Sequence, residues 1–151
     1  MKVRPKVQCG CSGAPNVVLC CSGVSDTAEI GDRAARLLNR EGVAKMSCLA
    51  GIGGQVDTII QNCQRALSIL AIDGCDADCA KKTLEQAGFS DFAHLRVIDV
   101  GMVKGETPVT DDRIQEVAAK ARELLGSLSK PEGPAVRARP GPTLGGAQCG
   151  L

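Results

Sequence analysis

Apolar and polar residues alternate along this chain in two different rhythms. Four short apolar runs, 17-VVLC-20, 43-VAKMS-47, 69-ILAID-73 and 95-LRVIDV-100, have the length of strands. Between them the spacing lengthens to a helical period. Residues 27–42 place Ile30, Ala34, Leu37 and Leu38 on one face and stop at Gly42. Residues 55–67 align Val56, Ile59, Ile60, Cys63 and Leu67. Residues 76–88 begin with acids, carry lysines in the middle and end at Gly88, and residues 110–126 open on Thr110 with acids behind it. Short strands alternating with helices predict βαβ units. The expected fold class is therefore α/β: a small three-layer, Rossmann-like domain of about four parallel strands with flanking helices.

The pattern fades at both ends. Residues 1–15 show no period and are expected to be irregular. Beyond Gly126 the chain holds four of its seven prolines and five of its eighteen glycines. That composition cannot build a core, so residues 127–151 are expected to form a flexible tail outside a domain of residues 16–126.

Composition narrows the function. A length of 151 residues suits one domain with a real core, and a net charge of +1 provides no field toward nucleic acid or an anionic membrane. With two Phe, no Trp and no Tyr, the chain has no platform on which bases could stack. The start, MKVRPKVQCG, lacks the apolar core of a signal peptide. No run approaches the ~20 apolar residues of a membrane span. These features point to a soluble, cytoplasmic protein with neither nucleic acid nor membrane as partner. Its nine cysteines, an odd number in a chain with a full aliphatic core, indicate metal or redox chemistry in a reducing compartment rather than a disulfide scaffold.

The cysteine positions are more informative than their number. Cys21, Cys48 and Cys75 are spaced 27 residues apart (21 to 48, 48 to 75), and the next step falls on Met102. Each cysteine follows a strand directly, and the C-terminal ends of parallel strands share one edge, where open α/β sheets bind ligands. Cys79 is expected to join Cys75, because residues four apart share a helix face. Four thiolates there would make a tetrahedral site for Zn2+, with Zn–S distances of about 2.3 Å. Nearby helix N-termini would favour the thiolate form. Asp73 is assigned to the turn or to the surroundings of the site, since a carboxylate beside thiolates is repulsive unless it accepts backbone N–H bonds; Gly74 permits the turn. An iron–sulfur cluster or another thiophilic metal is an alternative occupant. A thiol–disulfide protein using Cys75 and Cys79, or the N-terminal thiols, is the alternative function. A single cysteine is more often packing than ligand, and Cys63, on the apolar face of its helix, is read as core.

The segments CSG at 21–23, 46-MSCLAGIGG-54, 73-DGC-75 and 79-CAKKTLEQAG-88 resemble the DGC-domain proteins, a family named for its central tripeptide and regarded as zinc-binding. The likeness runs from about Val17 to Gly105. It implies a small α/β domain with four chelating cysteines that hold zinc, and no established reaction. Carried over, those four fall on Cys21, Cys48, Cys75 and Cys79. Cys9, Cys11, Cys20 and Cys149 lie outside that pattern and leave room for a second site or a redox role. Lys81, Lys82 and Lys104 match it, either softening the site's negative charge or solvating a face.

Other motifs carry less. Gly51, Gly53 and Gly54 with Asp73 downstream suggest a dinucleotide fingerprint, but Val56 stands where the third glycine belongs. Those glycines are read as bending the chain around the metal or cradling a small anion. A Cys-x5-Arg phosphatase loop fails, because the positions it needs are Thr27 and Asp26. The pairs 9-CGC-11 and 20-CC-21 would suit soft-metal ligands or a thiol relay, or be plain free thiols, as is expected of Cys149. His94, the sole histidine, opens the fourth strand and is expected at the end of the sheet opposite the cysteines. No histidine would then stand near the cluster as general base, which weighs against a hydrolase.

Overall fold

The computed structural model describes residues 15–128. Four strands, β1 (Val17–Cys20), β2 (Lys45–Met46), β3 (Ile69–Asp73) and β4 (Ala93–Arg96), form one sheet in the order β2-β1-β3-β4, every pairing parallel. Five helices connect and follow them: α1 (Asp26–Arg40), α2 (Leu49–Gly53), α3 (Asp57–Gln64), α4 (Cys79–Gln86) and α5 (Asp111–Leu128). This is the three-layer α/β architecture the periodicity called for.

The period of two along the central strands divides the core. Val18, Cys20, Leu70 and Ile72 face α1 and α5, whose Ile30, Ala34, Leu38, Val117 and Ala121 complete that layer. Val17, Leu19, Ile69 and Ala71 face the other way, with Ile52, Cys63, Ala80 and Leu84 from α2, α3 and α4. The vicinal cysteines are separated by the same alternation, Cys20 to one face and Cys21 to the other.

Several boundaries differ from the sequence expectation. The second strand is only two residues long, and the glycine-rich segment after it forms the short helix α2. The fourth strand starts at Ala93 and gives way at Val97 to a turn of 3-10 helix, Val97–Val100. Val56 and Leu67, assigned to the apolar face of one long helix, are 44% and 61% exposed, because α3 is short and spans neither. α5 runs two residues past Gly126 to Leu128. Residues 129–151 and 1–14, with Cys9, Cys11 and Cys149, lie outside the described residues.

Candidate metal and thiol site

β1 and β3 are adjacent, but the chain leaves β1 toward β2 on one side and β3 toward β4 on the other. Such a divergence opens a crevice at the strands' C-terminal ends, where doubly wound folds bind ligands. Cys21 follows β1 directly, Cys48 lies two residues after β2, Cys75 lies two after β3, and Cys79 opens α4. All four cysteines therefore stand on one rim. None of the six described cysteines is in a disulfide.

Three of the four sulfurs have a local partner. Cys21 Sγ accepts the backbone N–H of Gly74 at 3.1 Å, bridging the exits of β1 and β3. Its pKa is lowered, first by hydrogen bonding with the Cys20 thiol and then by the Gly74 N–H. Cys20 is driven the opposite way by that same bond and by burial, so it stays a thiol, and its Sγ also contacts the Cys21 carbonyl at 3.0 Å. Cys48 is the N-cap of α2, its sulfur accepting the Gly51 N–H at 3.4 Å much as a serine would. Cys75 Sγ lies 3.5 Å from Lys104 Nζ. Of the three lysines, Lys104 thus meets a sulfur, while Lys82 donates to the Ala77 carbonyl and Lys81 sits 4.0 Å from Glu85. Lys104 is positioned by Asp26, whose carboxylate accepts the N–H groups of Gly105 and Thr107 at 2.8 Å each. Those bonds, the one from Gly105 foremost, hold the Asp26 carboxyl below its ordinary range.

The sulfurs share a rim without converging: no three of the four lie within 4.8 Å of one another. Cys48 and Cys79 are exposed and Cys75 is half-buried. Cys63 is buried core, as expected from its helix face, with its sulfur 3.9 Å from Ser47 Oγ and its pKa raised by burial.

Two expectations need correction. Cys75 and Cys79 do not share a helix face. Asp78 adopts the left-handed conformation (φ 55°), so α4 begins only at Cys79 and Cys75 stays in the preceding loop. His94 is not remote from the cluster either. It pairs in register with Ala71, two residues before the end of β4, and its Nε2 reaches Asp73 Oδ2 at 2.9 Å. The sequence placed the start of β4 too late, and that put His94 at the wrong end.

Around Asp73 the structure builds a network that the sequence does not announce. Its side chain is 1% exposed and accepts the N–H of Ala80 at 2.7 Å and of Lys81 at 3.0 Å. Asp78 makes no capping bond, so Asp73 caps α4 from the neighbouring strand. Asp78 instead receives both arms of Arg96, each at 2.6 Å. Arg96 sits opposite Asp73 in the sheet register. That parallel pairing is the one sequence-accessible clue, and it requires knowing that β3 and β4 are neighbours. Among the described residues, Asp73, Asp78 and His94 do have three ligand atoms within 4.8 Å of one another. Their oxygens are already committed to two helix N–H groups, an imidazole and a guanidinium fork. They form a structural ion network rather than an open cation site.

Arg96 holds the Asp78 carboxyl down to about 2. A depressed folded-state pKa stabilises the fold above the carboxylate's ordinary value of 3.8 and loses that stabilisation as pH falls through about 2. Asp78→Asn is therefore expected to lower the melting temperature at neutral pH. The gap to the parent should close between about pH 4 and about pH 2, measured by thermal melts across that range.

The fold and this thiol-lined rim define a small α/β domain built to present cysteines at the C-terminal edge of a parallel sheet. The DGC domain family model matches residues 17–121, and the chain belongs to that family. It is also 35% identical over 88 residues, covering 58% of this chain and 67% of the other, to a Pseudomonas aeruginosa protein described as the anaerobic and virulence modulator AnvM. No solved structure matches the chain. Among the described residues no helix is long and apolar enough to cross a membrane.

Proposed function

We propose that this protein is a metal-binding module in which Cys21, Cys48, Cys75 and Cys79 hold a thiophilic ion, zinc fitting best. The observation that carries the reading is the placement of all four cysteines on one rim of the sheet, from three successive βα turns. The donor set fits chemically. Soft thiolates select zinc and related ions, and backbone N–H groups on Cys21 and Cys48, with Lys104 beside Cys75, offset the negative charge of such a centre. Bound metal would tie three βα units together and add its binding energy to folding. A reducing compartment, where free thiols persist, is part of the proposal. From the relative's description we extend to this chain only the role of a modulator, acting through what it binds.

Native mass spectrometry with elemental analysis on the full chain should find one zinc per molecule. Cys75→Ser should lose it, and a chelator should lower the melting temperature of the parent. Protein that carries no stoichiometric metal and is indifferent to chelator would sink the reading. The separation of the sulfurs and the Lys104–Cys75 contact favour a second reading, in which Cys75 is the attacking sulfur of a dithiol redox protein. Metal-free protein with a rapidly alkylated Cys75 would select it.

A further inference from the structure

Because β2 is only two residues long, the sheet stops early on that side and a cleft of about 830 Å3 opens beyond it. Small-molecule sites typically measure roughly 300–1,000 Å3, so this one is large enough for a peptide-sized metabolite. Its lining is chemically divided. Met46 and Leu49 supply apolar surface, while Arg36 and Arg40 bring cations from the last turns of α1. Arg36 is paired with Asp32 at 2.7 Å, but Arg40 has no ion-pair partner among the described residues. The wall is therefore left with a net positive charge. Cys48 lines the same cleft, exposed and with its sulfur bonded by the Gly51 N–H. The other thiol of the cleft, Cys20, is only 5% exposed and is out of reach of a bulky reagent.

We infer that this cleft binds low-molecular-weight disulfides that carry carboxylates, and that it presents them to Cys48 for thiol–disulfide exchange. The carboxylates lie against Arg40, the apolar body against Met46 and Leu49, and the S–S bond over Cys48. In the step, the Cys48 sulfur loses its proton to water and attacks one sulfur of the disulfide. A Cys48–S–S–R bond forms, the R–S–S–R bond breaks, and the departing thiolate takes a proton from water. Cys48 is oxidised and half of the small disulfide is reduced, so no further oxidant is needed. The inference applies to the metal-free protein, because Cys48 is also one of the four proposed donors and cannot bind metal and attack a disulfide at once.

The full chain is treated with oxidised glutathione, which is anionic, or with cystamine, which is cationic. Each is applied before and after a chelator, so that a metal-held sulfur is freed before rates are scored. Adducts are located by peptide mass spectrometry, and metal is measured in each preparation before chelator or disulfide is added. Cys48 should be modified by glutathione disulfide faster than by cystamine, relative to their rates with a free small thiol. Arg40→Glu should reduce that preference several-fold at low salt, since it replaces an attraction to the carboxylates by a repulsion. Arg40→Lys keeps the charge and should keep the preference. Equal relative rates, a preference unchanged in Arg40→Glu, or adducts on Cys75 or Cys79 in place of Cys48 would each overturn the inference. Metal content reports on the four-sulfur reading separately, since it is read before any disulfide is added.

Discussion

Alanine at position 74 should cost the protein about 3 kcal/mol or more, the upper range for forcing atoms into a filled space. A Cβ there would lie 2.6 Å from the Ala28 nitrogen, 2.8 Å from its Cα and 3.0 Å from the Thr27 carbonyl carbon. These are backbone atoms in the first turn of α1 and cannot rotate away. To make room, α1 would have to lift from the exit of β3. The same shift would pull the Gly74 N–H from Cys21 Sγ, so stability and the thiol environment should fail together. Thermal melts followed by far-ultraviolet circular dichroism should show a drop of roughly 10 °C or more. Gly42→Ala makes a useful contrast. Its φ of +74° is strained for alanine, but nothing lies within 4 Å of the added atom, so only about 1 kcal/mol is expected. If the two substitutions cost the same, close approach is not what requires glycine at 74.

The second large effect is expected at Asp73. Asp73→Ala removes the acceptor for two N–H groups at the start of α4 and for His94 Nε2, all beside a buried site. Leaving buried donors unpaired and losing a buried charged acceptor should cost about 3–4 kcal/mol. Asp73→Asn keeps one acceptor oxygen and should recover part of that loss. His94→Ala removes a single bond from the network and should cost less than either. Because Asp73 anchors the turn that carries Cys79, Asp73→Ala should also loosen that cysteine. Hydrogen exchange at Ala80 and Lys81 would detect it, and unchanged protection at those amides would refute the capping role. The tripeptide Asp73-Gly74-Cys75 thus resolves into three separate tasks: capping a helix from the neighbouring strand, passing close beside α1, and presenting a sulfur.

Local pattern was a reliable guide where an element's environment is set by its own residues. β1 and β3 are buried along their whole length, and their apolar runs match the observed bounds. α1 carries a regular apolar face and its stop at Gly42 is a left-handed glycine, so its limits were legible within two residues. The 27-residue repeat correctly put three cysteines on one rim, because equal βα units deliver equal positions to a parallel edge. In the fourth unit β4 ends at Arg96, a 3-10 turn follows, and the repeat's next position, Met102, is buried at 3% exposure. Cys20 is a free thiol buried in the core. Adjacent residues of a strand point to opposite faces, and only the helices packed on each face decide which thiol is core.

What the sequence alone determined was the layered α/β fold, its parallel strands and the edge on which the cysteines would gather. These follow from local periodicity and from the fact that parallel connections return every strand in the same sense. Tertiary structure alone decided where each sulfur points, that Asp73 caps the following helix from the end of β3, and that His94 and Arg96 brace the loop before Cys79. Those contacts join residues 7 to 21 positions apart across neighbouring elements. No local period records them, because they depend on which strand lies beside which.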